Sequence, residues 1–445
     1  MKKCIVIGGG FAGLSTAVHL ANKNIKVDLL ESSPKLGGRA YSFLAKNGKT
    51  VIDNGQHIMM GCYRETLHFM KMIGAQDKLI YQSALEINFL KEGFNKIKLK
   101  TAVLPHPFNL LFGILNYQAI DFTDRLRILK FFFKIITYSD KELSRMSVEE
   151  WLKKEKQTET INKALWEVIA VGALNTSIRK ASARTFADVL KEIFLKNKLS
   201  SRIILPKYGL SETYCNQAQH FLEMKESSVL LSHLVTGFKI KNKNIVEVQT
   251  DQGSITDFAC VISTIPYYAL QKLIPISVLN KKPDLRYSSI LTVHLWLKDN
   301  SFTEEFYGLI NSSVHWIFNK KTHLTLVISD ADYLMEQTRE EIFELIIREL
   351  NKFAKITRDM INDFQVIKEK RATFVPSDNI LDSRPSVVTG LDNFFIAGDW
   401  VDTGLPSTIE SAVKSGRLVS EALLNSKTCK FTFYNERKRN NAGKS

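Results

Sequence analysis

The chain has 445 residues, of which 44% are hydrophobic and 24% are charged, and its formal net charge at pH 7 is +15. This length exceeds what one hydrophobic core usually serves, so two domains are expected, and they can interleave along the chain. The five scattered cysteines are odd in number and lack a CxxC pair, which argues against a disulfide framework or a metal site and indicates a reducing compartment.

The first residues have the order of strand, glycine turn and helix. Residues 3–7 form a short apolar run of strand type, and a helical apolar pattern follows Gly13. Gly8 permits a tight turn, Gly10 lets the backbone approach a pyrophosphate, and Gly13 lets the helix pack closely on the strand. The N-terminus of the helix then faces the phosphates.

An acidic residue and a second pair of glycines follow. A second strand, residues 26–30, ends in Glu31, whose carboxylate would hydrogen-bond the hydroxyl groups of a ribose. Gly37, Gly38 and Arg39 come shortly afterwards, and the arginine would supply charge-assisted hydrogen bonds to phosphate. Together with the glycine turn, these residues predict a bound dinucleotide.

The C-terminal part of the chain contains a further strand and helix. The apolar strand that begins at Phe394 ends in Gly398 and Asp399. Ser407 is expected to cap the following helix, while Glu410 closes a capping box. Such a helix directs its unpaired amides and the positive end of its dipole at a ligand in front of Ser407, where they would stabilise negative charge.

The motifs resemble those of the amine-oxidase and carotenoid-desaturase superfamily of flavoproteins, through Gly37-Gly38-Arg39 above all. A narrower resemblance is to the squalene-associated FAD-dependent desaturase family. It rests on Asp53-Asn54-Gly55-Gln56-His57, on Lys370-Arg371-Ala372-Thr373-Phe374, and on the C-terminal segments Gly398-Asp399-Trp400 and Asp402-Thr403-Gly404-Leu405-Pro406. The match is dense at both ends of the chain and loose over residues 85–234, and Phe11 stands where the family more often has tryptophan.

The resemblance implies FAD as the cofactor. No cysteine lies where monoamine oxidases attach their flavin covalently, so the FAD is expected to be non-covalent. By analogy, Asp399 would contact the ribityl or phosphate part of FAD and Val235 would lie near its adenine. The residues expected to bind FAD are Gly8, Gly10, Phe11, Ala12, Gly13, Glu31, Gly37, Gly38, Arg39, Gly55, Gln56, His57, Val235, Gly398, Asp399, Pro406, Ser407 and Thr408.

The family's activity is that of hydroxysqualene dehydroxylase, so the resemblance implies a reduction. A hydride from reduced FAD would replace the hydroxyl group of hydroxysqualene, which leaves as water, and an unidentified electron donor would reduce the FAD. This chemistry needs an acid near the hydroxyl group. His57 is the first candidate, and Asp53, Asp402 and Arg371 are alternates among which the sequence does not decide.

A C30 isoprenoid substrate requires a long apolar cavity and access from a membrane. Residues 108–115 and 120–138 combine Phe, Leu and Ile with Arg and Lys, which is typical of an interfacial helix and equally of a helical lid with solvated basic residues. Residues 166–174 are uniformly apolar, which favours burial against the cavity. The chain is expected in the cytoplasm. Its positive charge could serve peripheral contact with the inner face of an anionic membrane. No binding to nucleic acid is expected.

Three other functions share the fold that these motifs predict. A carotenoid desaturase of the phytoene type differs in the direction of electron flow. An amine oxidase is disfavoured because a basic chain repels a cationic substrate. A prenyl-protein chaperone of the GDP-dissociation-inhibitor kind uses no flavin, and the intact flavin motifs count against it.

The expected fold class is α/β: a Rossmann-like FAD-binding domain of the glutathione-reductase and amine-oxidase type, with an interleaved substrate domain of mixed sheet and helices. Residues 1–85, 200–265 and 385–424 are assigned to the FAD-binding domain. Residues 86–199 and 266–384 are assigned to the substrate domain, and residues 425–445 to a basic, flexible tail.

Overall fold

The computed structural model of the chain describes residues 3–93 and 95–426. The strands are β1 Lys3–Ile7, β2 Val27–Glu31, β3 Ser42–Leu44, β4 Val51–Asp53, β5 Met59–Met60, β6 Leu79–Tyr81, β7 Glu86–Lys91, β8 Asn95–Lys100, β9 Ile203–Pro206, β10 Ser228–Leu231, β11 Val235–Lys241, β12 Asn244–Thr250, β13 Gly253–Ile255, β14 Phe258–Ser263, β15 Tyr287–Leu297, β16 Phe306–Leu309, β17 Trp316–Asn319, β18 Leu324–Ile328, β19 Ile361–Phe374 and β20 Phe394–Ile396. The α-helices are α1 Phe11–Asn22, α2 Arg64–Met72, α3 Phe108–Leu115, α4 Phe122–Ile135, α5 Asp140–Leu143, α6 Val148–Lys154, α7 Glu159–Ile161, α8 Glu167–Leu174, α9 Ala183–Leu190, α10 Asn216–Met224, α11 Tyr267–Leu270, α12 Arg339–Ala354, α13 Asp378–Ser383 and α14 Ile409–Leu424.

A five-stranded parallel sheet with the order β10-β2-β1-β14-β20 forms the first core. Alternate residues of β1 point to opposite faces, as the period of a strand requires. Cys4 and Val6 pack under α1, α2, α10 and α14, whereas Ile5 and Ile7 pack against β11 and β12. Because the chain leaves β1 towards β2 on one side and reaches β14 on the other, a crevice opens at the carboxyl end of β1.

A seven-stranded sheet with the order β19-β15-β18-β17-β16-β7-β8 forms the second core, and its pairs are antiparallel except for β16 with β7. One face packs under α12 through Leu291, Val293 and Leu295 of β15. Intervening residues of the same strand face the segment after β4, and His294 donates a hydrogen bond there. Residues from α3 to α9 pack with β7, β8 and β16 in a third apolar cluster.

The two large sheets draw their strands from alternating parts of the chain. Those of the parallel sheet lie within residues 1–85, 200–265 and 385–424, and those of the seven-stranded sheet lie within 86–199 and 266–384. The domain boundaries themselves stay a prediction. Of the expected basic tail, residues 427–445 lie outside the described residues.

Two buried histidines, His294 and His323, lie beside Trp296 at the seven-stranded sheet, and His323 stacks on its ring. His294 Nε2 donates to the carbonyl oxygen of Asp53 at 3.1 Å, so its Nδ1 accepts from the hydroxyl group of Thr325 at 3.0 Å. Burial lowers the pKa of His294 to about 3 and that of His323 to about 4. Both rings are therefore neutral over the physiological range.

We expect the free energy of unfolding to fall as the pH is lowered from 6.5, the ordinary pKa of histidine, to about 4. In this window the unfolded chain takes up protons at these two positions and the folded chain does not. Each histidine then contributes a slope that approaches about 1.4 kcal/mol per pH unit. Denaturant unfolding at a series of pH values measures it. His294→Gln should remove the contribution of one histidine to the slope of unfolding free energy against pH. His220→Gln, on the exposed side of α10, should leave the slope unchanged. Equal slopes in the wild type and both variants would contradict this account.

Candidate functional site

The crevice at the end of β1 is lined by the glycine turn. Gly8 adopts a φ of +106° and its amide donates to the carbonyl oxygen of Leu30 at 2.8 Å. A Cβ atom on Gly13 would lie 1.8 Å from the carbonyl oxygen of Gly8, so only glycine fits there. Gly10 caps α1 without any side-chain hydrogen bond, which leaves the first amides of α1, at Phe11 and Ala12, available to a ligand.

Glu31 closes one side of this crevice at the end of β2. One carboxylate oxygen accepts the amide of Gly9 at 2.6 Å, and the other accepts the amide of Ser33 at 2.8 Å. The carbonyl oxygen of Glu31 accepts the amide of His233, two residues before the buried Val235. The structure therefore brings Val235, at the start of β11, close to Glu31, at the end of β2. Their contacts with the adenine and the ribose stay a prediction.

The second glycine pair packs directly on the first turn. The amide of Gly37 donates to the carbonyl oxygen of Gly9 at 2.9 Å, and a Cβ atom on Gly10 would lie 3.7 Å from the Cα atom of Gly38. Gly37 and Gly38 both have positive φ angles, of +120° and +59°. The result is a cradle with exposed backbone and without side chains, which suits a pyrophosphate.

Arg39 and Asp399 form an ion pair across the crevice. The guanidinium donates from Nη2 to Asp399 Oδ1 at 2.6 Å and from Nη1 to the carbonyl oxygen of Ala372, also at 2.6 Å. The other oxygen of Asp399 accepts the hydroxyl group of Ser407. The predicted residues Arg39, Asp399 and Ser407 thus form one connected group, with Gly398 beside it.

The capping box that the sequence predicts at α14 is wrong. Thr408 rather than Ser407 is the N-cap, and its hydroxyl group accepts the amide of Ser411 at 3.2 Å. Glu410 turns away from its own helix to accept the amides of Glu65 and Thr66, each at 2.9 Å. Ser407 is free to hold Asp399, and Glu410 caps α2 instead.

The segment after β4 contains the first candidates for the acid. Asp53 is buried, and its Oδ1 accepts the hydroxyl group of Ser42 at 2.7 Å and the amide of Leu210 at 2.9 Å. These contacts hold the segment in place. The Gln56 amide oxygen is buried without a partner in the described part of the chain, so a bound group is left to satisfy it.

His57 is held as a hydrogen-bond acceptor. Its Nδ1 lies 2.9 Å from the carbonyl oxygen of Gly55, and a carbonyl only accepts, so Nδ1 carries the proton and Nε2 the lone pair. Burial lowers the pKa of His57. The neutral ring has no proton to give at Nε2, so this geometry disfavours His57 as the acid.

The two remaining candidates differ in where they lie. The Arg371 guanidinium stands over the ring of Tyr268, 4.3 Å from its centroid, on an exposed part of β19. Asp402 lines an internal cavity, where its Oδ1 lies 3.7 Å from Nη2 of Arg384 and its side chain is 51% exposed. Of the four candidates, Asp402 is the one that the structure places in that cavity.

The cavity has a volume of about 940 Å³ and runs between the two cores. Residues 402–406, with Thr408 and Glu410 at the start of α14, line part of it. The exposed side chains of Lys196, Lys281 and Asp382 mark where it reaches the surface. Its wall is mostly apolar and includes Leu85, Ile87, Phe89, Leu165, Val168 and Trp316.

Sequence analysis did not find Arg384, which is 2% exposed in the wall of this cavity. Its only sequence signal is an arginine before Pro385 in a polar stretch that precedes the last strand, and a surface arginine looks the same. Phe11, the departure from the resembled family, stacks on Tyr214 with ring centroids 3.9 Å apart. An aromatic side chain is retained there by packing.

Comparison with known proteins gives a consistent result. The family described as flavin containing amine oxidoreductase matches residues 11–424. The hydroxysqualene dehydroxylase of Zymomonas mobilis is 27% identical over 431 residues, which cover 94% of this chain and 98% of that protein. A 15-cis-phytoene desaturase of an Oncidium hybrid cultivar is 24% identical over 94% of this chain and 77% of its own length. A putrescine oxidase structure superimposes with a TM-score of 0.69 and 13% identity, covering 95% of this chain and 99% of that one.

The cofactor that these comparisons establish is FAD, and the crevice fits it. The glycine cradle leaves room for a pyrophosphate, the open amides of α1 face it, and Gln56 has an unsatisfied buried oxygen. We propose that Glu31 holds the ribose, that Arg39 and Asp399 hold the phosphate and ribityl part, and that the N-terminus of α14 faces the flavin. Within residues 3–93 and 95–426, no cluster of His, Cys, Asp or Glu could hold a metal ion.

Asp399→Ala should weaken FAD binding by at least about 10-fold, because it removes the partner of Arg39 and of Ser407 together. FAD content is measured by fluorescence after heat denaturation, and complete release from the wild type also tests non-covalent attachment. Asp363→Ala, at an exposed carboxylate on β19, is the control. Full FAD occupancy and unchanged affinity in Asp399→Ala would refute the assignment.

Proposed function

We propose that this chain, which belongs to the flavin containing amine oxidoreductase family, reduces hydroxysqualene to squalene. It is an FAD-dependent oxidoreductase, and the similarity to hydroxysqualene dehydroxylases over nearly its whole length supports this reaction among those of the family. The observation that carries the proposal is the mostly apolar cavity, which residues 402–406 in front of α14 help to line and which is open to the surface. Ligand cavities commonly measure 300–1,000 Å³, so about 940 Å³ suits a large hydrocarbon.

The reaction replaces a carbon–oxygen bond by a carbon–hydrogen bond. Reduced FAD, when bound, would supply one hydride, which carries both electrons of the reduction, and the leaving oxygen would need one proton to depart as water. The apolar wall excludes water from the reacting carbon and orients the chain of the substrate. Asp402 lines the cavity shortly before α14, whose N-terminus is proposed to face the flavin, and it is half exposed, so it can pass a proton from solvent to the leaving oxygen.

The similarity to 15-cis-phytoene desaturases supports a second function, in which oxidised FAD would remove hydrogen from a hydrocarbon. The two functions use the same cavity and cofactor and differ in the direction of electron flow. Anaerobic incubation of reduced enzyme with hydroxysqualene, and of oxidised enzyme with phytoene, distinguishes the two functions.

Enzyme with chemically reduced FAD should convert hydroxysqualene to squalene with reoxidation of the flavin, and oxidised enzyme should leave phytoene unchanged. Extraction and mass analysis identify the products, and the flavin absorbance follows the electrons. Asp402→Asn should lower the rate of flavin reoxidation by about 10²-fold or more, since it cannot carry the proton, while FAD content stays at the wild-type level. New double bonds in phytoene, together with unreacted hydroxysqualene, would establish the desaturase instead.

We also propose that the surface formed by α3 and α4 contacts an anionic membrane. Ile128, Phe131 and Ile135 of α4 are buried in the core, so this helix is not a separate segment. Its opposite side exposes Phe122, Leu126 and Phe133 at spacings of four and seven residues, and Phe133 is 71% exposed. Phe108 and Phe112 of α3 are exposed as well, and Arg127, Lys130 and Lys134 supply positive charge.

An apolar stripe flanked by basic residues matches the interface of an anionic bilayer, from which a C30 substrate would come. Among residues 3–93 and 95–426, no helix combines the length and apolar character needed to cross a membrane. The proposed location is the cytoplasm, at the inner face of the cytoplasmic membrane.

Phe133→Asp should reduce binding to vesicles that contain anionic lipid by at least about 10-fold, because it removes an exposed aromatic ring that would insert into the bilayer and adds a charge that anionic lipid repels. Co-sedimentation with anionic and with zwitterionic vesicles measures the effect. Met224→Asp, at a 64% exposed apolar side chain on α10, is the matched control. Equal binding by both variants would rule out this surface as the contact.

A further inference from the structure

Arg384 is a buried cation with most of its hydrogen bonds unmade. Its side chain is 2% exposed, and its Nη1 donates to the carbonyl oxygen of Leu405 at 2.7 Å. Nε has no partner in the described part of the chain, and Nη2 is 3.7 Å from Asp402, beyond hydrogen-bonding distance. A guanidinium offers five N–H donors, so this one is left with donors to spare in the wall of the cavity.

Thr185 is a second unsatisfied group in the same wall. It lies in the first turn of α9 and is 5% exposed, and its hydroxyl oxygen has no hydrogen-bond partner among the described residues. A threonine in a helix usually bonds a carbonyl one turn earlier. Here the hydroxyl group keeps both its donor and its acceptor capacity.

The two residues belong to neighbouring segments. Arg184, next to Thr185, pairs with Asp382 at 3.1 Å, and the hydroxyl group of Ser182 donates to Asp378 at 2.9 Å. These contacts fasten the start of α9 to α13, and Arg384 follows α13 directly. Both residues line the cavity that residues 402–406 also line.

A purely structural role accounts for only part of this arrangement. The bond to Leu405 explains why an arginine helps to fix the loop before α14. Asp402, whose Oδ1 is 3.7 Å from Nη2, and the ring of Phe374, 5.5 Å from the guanidinium carbon, offset part of the buried charge. They do not explain why Nε is buried without a hydrogen-bond partner in the described part of the chain, because such a group costs about 1–3 kcal/mol. An oxygen atom of a bound ligand would complete both Arg384 and Thr185.

We propose that Arg384 and Thr185 form a subsite for the hydroxyl oxygen of a C30 alcohol, a proposal that rests on the function given above. The guanidinium donates to the oxygen, and Thr185 exchanges a second hydrogen bond with it. When the carbon–oxygen bond breaks and the carbon gains a hydride from reduced FAD, negative charge grows on the oxygen and the guanidinium stabilises it. Arg384 keeps its own proton, so the proton that completes water comes from a separate group.

Equilibrium binding to the oxidised holoenzyme tests the subsite without turnover. Hydroxysqualene and squalene are titrated separately, and their dissociation constants are compared; the alcohol and the hydrocarbon differ in the oxygen that the subsite would bind. The wild type should prefer hydroxysqualene. Arg384→Met should reduce that preference by about 10- to 100-fold, and Thr185→Val by about 5-fold, with squalene affinity nearly unchanged.

Arg125→Met is the matched control, since Arg125 also donates to carbonyl oxygens, those of Leu115 and Ile120, but lies outside the cavity. It should keep the wild-type preference. Thr185→Val removes an unsatisfied buried group, so the variant should be no less stable than the wild type while it discriminates less. That combination is not expected of a structural residue.

The subsite would be overturned if the wild type bound both ligands equally, or if each variant weakened both ligands by the same factor. If Arg384→Met loses FAD or does not fold, Thr185→Val decides the question. An unchanged preference of Thr185→Val for hydroxysqualene over squalene would then refute the subsite. The proposed reaction fails by a different observation, namely no squalene from reduced enzyme and hydroxysqualene. Binding preference and product formation therefore separate the two proposals.

Discussion

The ion pair between Arg39 and Asp399 joins parts of the chain that are 360 positions apart, and the cofactor crevice depends on it. Arg39 belongs to the turn packed on the first glycine loop, and Asp399 follows the last strand of the parallel sheet. Asp399 also holds Ser407, which precedes α14, so one carboxylate connects the second glycine turn with the start of α14. Glu410 adds a second tie by capping α2 from α14. The crevice therefore forms only when both ends of the chain are in place.

Features that depend on neighbouring residues could be predicted from the sequence, and features that depend on distant ones could not. The strand, glycine turn and helix at residues 3–22 are set by local pattern, and the structure places Glu31 as expected. The predicted capping box is wrong because the local sequence does not show whether the carboxylate three residues after a cap will bond its own helix or amides from a distant segment. Glu410 found two amides 344 and 345 positions away. Arg384 could not be predicted for the same reason, since the segments that bury it are distant from one another in the sequence.

The segment Asp53-Asn54-Gly55-Gln56-His57 shows why a recognisable motif is not always the reacting group. Asp53 uses its carboxylate to hold Ser42 and Leu210, and His294 fastens its carbonyl oxygen from the seven-stranded sheet. His57 donates to Gly55 and stays neutral. These residues join the two sheets around the cofactor and set the position of the segment. We therefore assign the chemistry to groups that line the cavity, among which Asp402 and Arg384 form an ion pair.

The presence of Arg384 bears on the choice between an alcohol and a hydrocarbon as substrate. An enzyme that removes hydrogen from a hydrocarbon meets no oxygen in its substrate, and an apolar wall serves it best, because a buried guanidinium with unsatisfied donors would only destabilise the fold. A wall that keeps such a group, beside the unsatisfied Thr185, is suited to a ligand that is almost wholly apolar and has one oxygen. The oxygen would then fix the register of a long, featureless chain, since sliding it by one carbon would leave both polar groups unpaired again. Reduction of an alcohol needs this register, because hydride must reach the carbon that bears the oxygen.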